Sequence, residues 1–325
     1  SIWARASTGM VAAIRQGKTS CATAARRKDI SGFRGGLMLR VFFITGSTVQ
    51  IATWNVNSVR TRLDQVLSWL ENEQPDLLCL QETKVDDPLF PLQPFKSAGW
   101  HIHIHGQKAY NGVALISRDP LEDVRCGFVG ELPDDAEAAD LSEQKRVISG
   151  LLNGVRVLNL YVPNGSSLKS EKYPYKLAWL GCLKRYIAAQ QERGEPLCMV
   201  GDFNIGLEAR DLPAPDRQTG GIMASDAERS ALRAALGEQL QDVFRVFEPD
   251  SGHWSWWDYR SGAWDRDRGW RIDHIYLCEE LLGLARSCVI HKGMRGNQQP
   301  SDHAPVSVDL DWPPAEDDEG DEPLF

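Results

Sequence analysis

The sequence predicts two packed, mostly antiparallel β-sheets with helices on their outer faces. Three observations lead there. Short apolar runs of strand length recur along the chain. Several follow one another with no helix between them, which a simple parallel βαβ sheet does not allow. A few segments instead carry apolar residues at helical spacing.

Taken in order, the first strand is "IATWNV" (51–56). A helix follows, with Leu63, Val66, Leu67 and Leu70 on one face, and Pro75 ends it. "DLLCLQ" (76–81) is a buried strand. "HIHIH" (101–105), if extended, puts His101, His103 and His105 on one face and Ile102 and Ile104 on the other. "GVALIS" (112–117) and "RVLNLYV" (156–162) are strands. A long helix covers 173–192, with Leu177, Leu180, Leu183 and Ile187 facing inward. "LCMVGD" (197–202) is the next strand, and a helix spans 226–240 with Leu232, Leu236 and Leu240. "RIDHIYL" (271–277) and "PVSVDL" (305–310) close the set. No internal repeat is visible.

Composition narrows the class. Of 325 residues, 42% are hydrophobic and 25% charged, a globular mixture with no apolar run long enough to span a bilayer. The seven cysteines form no CxxC pair and sit in apolar surroundings, which favours buried free thiols over disulfides or a zinc site. Net charge is −9. A chain this acidic does not advertise a nucleic-acid binder, so any polyanion substrate would need a local basic surface or metal ions. Residues 1–48, basic and aperiodic, are expected to be an extension, a mis-assigned start or a transit peptide; the last reading would place the protein in an organelle instead of the cytoplasm. Residues 49–312 are expected to form one domain and 313–325 an acidic, disordered tail.

The informative feature is where the strands stop being apolar. "IATWNVN" ends on Asn55 and Asn57, and "DLLCLQET" on Gln81 and Glu82. "LNLYVPNG" ends on Tyr161 and Asn164, and "CMVGDFNIG" on Asp202 and Asn204. "RIDHIYL" carries Asp273, and "PSDHAPVSV" presents Asp302 and His303 just before a strand. One such group is an ordinary turn former. Six segments together describe a rigid scaffold around a site. Carboxylates and amide oxygens are hard ligands suited to Mg²⁺ or Mn²⁺. With an imidazole beside them they are the equipment for hydrolysing a phosphate ester.

The motifs "TWNVNSVRTRL", "PDLLCLQETKV", "HGQKAYNGVALIS", "LYVPNG", "VGDFNI", "SWWDYRSGAWDRDRGWRID" and "SDHAPV", in that order from about residue 50 to 311, resemble the exonuclease III family of apurinic/apyrimidinic endonucleases. The resemblance implies a four-layer α/β/β/α sandwich with the site at one mouth. By position, Glu82 resembles the principal Mg²⁺ ligand, with Asn55, Asp302 and Asn57 in the metal region. Asn57 departs from relatives that carry Asp there, which weakens the case for a second metal. Asp202 matches the residue that activates or orients the attacking water, with Asn204 beside it. His303 matches the imidazole at the scissile phosphate, and Asp273 the carboxylate that orients it. Tyr161 and Asn164 resemble phosphate-contacting groups.

The segment 253–270 holds five of the eleven tryptophans. Trp254, Trp257 and Trp264 read as packing residues. The resemblance assigns Trp256, Trp270 and Ile272 to an apolar pocket for a base-free sugar, which flips out of a duplex cheaply and leaves no room for a normal nucleotide. Arg260, Arg266, Arg268 and Arg271 are candidates to face DNA phosphates, in competition with the neighbouring Asp258, Asp265 and Asp267. The three histidines of "HIHIH" are read as a half-exposed strand, not as a metal site.

The expectation is therefore a Mg²⁺-dependent DNA repair nuclease. It would act as a monomer on double-stranded DNA with abasic sites or damaged 3′ ends, away from membranes. Exonuclease or 3′-phosphodiesterase activity would use the same site. One rival is a phosphodiesterase of the same superfamily acting on a non-DNA ester, which the Trp256–Trp270 segment opposes. The other is an inactive DNA-binding scaffold, which would be expected to have lost one of Glu82, Asp202, Asp273 and His303.

Overall fold

Strands whose two faces are both covered have no reason to alternate apolar with polar residues. This is why the runs read from the sequence are nearly continuous. The structure, a computed structural model, describes residues 48–311. Expectations for residues 1–47 and 312–325 lie outside the described residues. Among the described residues twelve strands run in chain order: β1 Val49–Asn55, β2 Leu77–Gln81, β3 His101–His105, β4 Val113–Ser117, β5 Glu122–Cys126, β6 Val147–Leu152, β7 Val155–Tyr161, β8 Leu197–Asp202, β9 Gln241–Asp242, β10 Asp273–Leu277, β11 Ala285–Ile290 and β12 Val306–Leu310.

They form two six-stranded sheets, ordered β11-β12-β1-β2-β4-β3 and β5-β6-β7-β8-β10-β9. Eight pairings are antiparallel; only β1–β2 and β7–β8 are parallel. Each parallel pair needs a crossover, supplied by the helices Leu63–Glu73 and Lys172–Gln191.

Successive residues of the central strands enter different cores. Ile51, Leu77, Cys79, Val157, Cys198 and Val200 meet between the sheets. Ala52, Trp54, Leu78 and Leu80 pack outward beneath Val66, Trp69 and Leu70 of the first helix. Leu158, Leu160, Leu197 and Met199 pack outward beneath Trp179, Leu180 and Leu183 of the long helix. The four layers are therefore helix, sheet, sheet, helix, as the sequence suggested.

Three sequence expectations need correction. The helix expected over 226–240 is Asp226–Leu236, because Gly237 turns out of it at φ 60°. Leu240 is still buried, but from outside the helix. Leu177 is only half-buried, whereas Lys176 and Gln190 of the same helix are fully buried. Strands β5, β6, β9 and β11 were not foreseen. β5 and β11 are polar edge strands, whose open side carries little apolar signal.

Candidate active site

Parallel strands end together, and an antiparallel neighbour begins where they end. Asn55, Gln81, Tyr161 and Asp202 are therefore last residues at one edge of the sandwich, and Asp273 is the first residue of β10 at the same edge. Register fixes this further: Asn55 lies opposite Gln81, Tyr161 opposite Asp202, and Asp202 opposite Asp273. By two-residue periodicity all five face the gap between the sheets. The inner face runs from apolar to polar toward that edge, as in Ile51, Thr53, Asn55 or Cys198, Val200, Asp202. The site is the polar mouth of an apolar interlayer.

Behind it, hydrogen bonds tie one sheet to the other. Gln81 Nε2 donates to Thr53 Oγ1 at 2.8 Å and to Asn159 Oδ1 at 2.7 Å. Asn159 Nδ2 donates back to the carbonyls of Leu80 and Ala114, both at 3.0 Å.

At the mouth Asn55 Nδ2 lies between two carboxylates, 2.8 Å from Glu82 Oε1 and 2.9 Å from Asp202 Oδ2. Glu82, Asp202 and His303 each offer a ligand atom within 4.8 Å of the others, so Glu82 and His303 open onto the same surface. His303 Nδ1 is 2.8 Å from Asp273 Oδ2, and its Nε2 is 3.8 Å from Asp202 Oδ2. Asp273 is anchored in turn by Ser255 Oγ, which donates to it at 2.7 Å and accepts the Asp273 backbone N–H. Asp202 also accepts the Asn204 backbone N–H at 2.9 Å.

The electrostatics follow from burial among like charges. Burial raises the Asp202 carboxyl; the His303 imidazole offsets part of this, and Asp273 and Glu82 add to the rise. Burial alone would lower His303, but the Asp273 and Asp202 carboxylates overcome it and raise the imidazole well above its ordinary range. For Glu82 burial is outweighed by the Lys84 ammonium, 2.7 Å away, and by the Asn55 amide, so its carboxyl is lowered. Burial and the neighbouring Glu82 push the Tyr161 phenol well up, which keeps it a donor.

The remaining candidates lie around this centre. Asp302 is one step out: it accepts Asn57 Nδ2 at 2.9 Å and Trp256 Nε1 at 3.0 Å. Asn57 Oδ1 in turn accepts Lys84 Nζ at 2.6 Å. Asn164 Nδ2 donates to Asn204 Oδ1 at 2.9 Å. Trp256 and Trp270 pair as a short β-bridge and are half-buried, and Trp256 is also bridged to His303. Ile272 is 1% exposed, so it presents almost no surface to a ligand. Trp254 and Trp257 are core residues. Asn57, Glu82 and Asn204 all have positive φ, near 44°, 50° and 50°. For glutamate that backbone is strained by about 1–3 kcal/mol, and such strain clusters at functional sites.

One reading is corrected. Arg271 does not face solvent: it is 1% exposed and bonded to Asp211 and Asp242. Arg260 is 87% exposed but is paired with Asp258. Among the described residues the "HIHIH" strand contributes to no cluster of three metal ligands. Two site groups were missed. Lys84, two residues beyond Glu82, could have been found by spacing; Ser255, inside the tryptophan-rich loop, had no sequence signal.

The geometry can be set beside known proteins. The Endonuclease/Exonuclease/phosphatase family profile matches residues 52–303. Exodeoxyribonuclease III of Haemophilus influenzae is 34% identical over 270 residues, which covers 79% of this chain and 98% of that protein. A solved 3′ phosphatase from Neisseria, bound to a product DNA hairpin, is 38% identical with a TM-score of 0.76, over 81% of this chain and 100% of that one. A solved AP endonuclease from Archaeoglobus fulgidus has the same TM-score and coverage at 35% identity.

Proposed function

The chain belongs to the endonuclease/exonuclease/phosphatase family, in its exonuclease III branch, and from that premise we propose that it is a Mg²⁺-dependent DNA repair nuclease cutting 5′ to abasic sites. The products would be a 3′-hydroxyl and a 5′-deoxyribose phosphate. The observation that carries the reading is the meeting of Glu82, Asp202 and His303 within 4.8 Å at one mouth, with Asp273 holding the imidazole.

The donor set fits a hard divalent cation. Three carboxylates (Glu82, Asp202, Asp273) share a confined mouth whose compensating cations are Lys84 and the His303 imidazole. Glu82 would hold the ion, with the Asn55 amide beside it and Asp302 one step out. When bound, it would supply neutralisation of charge on the phosphate oxygens.

The chain's own groups do the rest. Asp273 fixes the His303 ring with Nε2 turned toward the mouth, where an imidazolium N–H can meet a phosphoryl oxygen. Asp202, a carboxylate whose basicity is raised by burial, accepts a proton from the attacking water. Asn164 braces Asn204, which holds Asp202 in place, while the Tyr161 hydroxyl donates toward the phosphate. Trp256 and Trp270 present an aromatic wall beside His303, suited to a sugar without a base.

The test is a duplex carrying one tetrahydrofuran abasic analogue, incubated with Mg²⁺ and then with EDTA. A single metal-dependent incision 5′ to the analogue is expected, with little cutting of inositol phosphates. An intact duplex in Mg²⁺ would end the proposal.

A further inference from the structure

Lys176 and Glu228 form an ion pair in which both side chains are fully buried, with Nζ 2.6 Å from Oε1. The next buried residues along the long helix, Trp179, Leu180 and Leu183, are apolar. A buried pair of this kind contributes little net stability compared with well-packed hydrophobic residues of similar volume. Its placement calls for another explanation.

The pair gathers three loops. Lys176 Nζ donates to the Asn204 carbonyl at 2.8 Å and to the Asn164 carbonyl at 3.3 Å, so with Glu228 all three ammonium hydrogens have acceptors. Glu228 Oε1 also accepts the backbone N–H of Met223 at 3.1 Å. Those same loops meet on the other side, where Asn164 Nδ2 contacts Asn204 Oδ1 at 2.9 Å and Met223 Sδ at 3.2 Å. The fit is close. Gly165 has φ +87°, and a Cβ there would lie 3.3 Å from Lys176 Cδ and 3.1 Å from Ile222 Cδ1. Asn204 and Met223 are themselves held at positive φ.

We propose that Lys176 and Glu228 are positioning residues: they hold the loops after β7 and β8 so that Asn164 stays braced against Asn204, and Asn204 against Asp202. The inference rests on the functional reading above. Its test separates position from stability by means of the double variant Lys176→Met/Glu228→Leu. We expect a melting temperature within a few degrees of wild type, kcat on the abasic duplex reduced at least tenfold, and KM changed less than threefold. A folded double variant with kcat within threefold of wild type would overturn the proposal.

If the double variant does not fold, Lys176→Gln is measured alone and in an Asn164→Ala background. Acting through Asn164, the substitution must cost less in that background than in wild type; equal costs overturn the proposal. Incision by the wild-type protein tests the functional reading separately. Should the duplex stay uncut, the same variant-to-wild-type ratios are taken on bis(p-nitrophenyl) phosphate.

Discussion

Two buried charge clusters flank the start of β10, two residues apart in the chain, and they are built to opposite ends. Arg271 donates to Asp211 at 2.8 Å and grips Asp242 through both terminal nitrogens, at 3.2 and 2.6 Å; Arg245 also pairs with Asp211. Two guanidiniums answer two carboxylates, and the cluster is closed. Around Asp273 three carboxylates face one imidazole and one lysine. That cluster is left electron-rich. Burial of charge is common to both; what separates a structural clamp from a reactive site is whether the charges are matched.

The carboxyl shifts express this difference. At Asp211 burial would raise the carboxyl, but the Arg271 charge, with His274 and Arg245, overcomes it and holds the group well below the usual range. At Asp202 burial and neighbouring carboxylates win, and the shift is upward.

The largest expected effect is kinetic. Asp202→Asn or His303→Ala should lower kcat by about 10²–10⁴-fold, the range for removal of a positioned acid or base. DNA binding should change little. Single-turnover incision kinetics measure this, and near-wild-type rates in either variant would erase the distinction between the clusters.

Next is Asp211→Ala, which leaves Arg271 buried without one of its partners. A loss of about 3–5 kcal/mol is expected, read from urea unfolding. A variant as stable as wild type would mean that the clamp is dispensable.

The two clusters should also oppose each other in pH. Because the folded Asp211 carboxyl is depressed, its stabilisation is complete above the unfolded value near 4 and is lost as pH falls below it. Because the folded Asp202 carboxyl is raised, its ionisation costs stability as pH rises from about 4. Melting curves in EDTA from pH 3 to 8 should show both limbs. The acid limb should weaken in Asp211→Asn.

The smallest effect sharpens the comparison most. Asp202→Asn removes a disfavoured buried charge and should raise stability by about 1 kcal/mol in EDTA, the trade between stability and activity expected at a functional site. Saturating Mg²⁺ should close that gap by stabilising wild type preferentially. A less stable variant under both conditions would place Asp202 among the structural charges.

Much of this was open to reading in one dimension. The strands "IATWNV", "DLLCLQ" and "LCMVGD" announce themselves because both faces are buried, and the polar residues at their ends stand out against that apolar background. Edge strands such as Glu122–Cys126 carry no comparable contrast, since one side of an edge is free of packing demands. Arg271 illustrates the reverse error. In sequence it is one of several arginines in a tryptophan-rich stretch; only in space does it meet Asp211 and Asp242, 60 and 29 residues away.

The sequence alone determined the chemistry on offer: hard oxygen ligands, one imidazole at a strand entrance and an order of motifs that marks the family. It also determined which residues prefer strand or helix, because burial periodicity is a local property. Tertiary structure decided which charges are matched and which are left unmatched at the mouth between the sheets, and that Lys176 ties together the loops after β7 and β8. Those outcomes depend on strand register and on the meeting of two sheets, long-range geometry that no local pattern encodes.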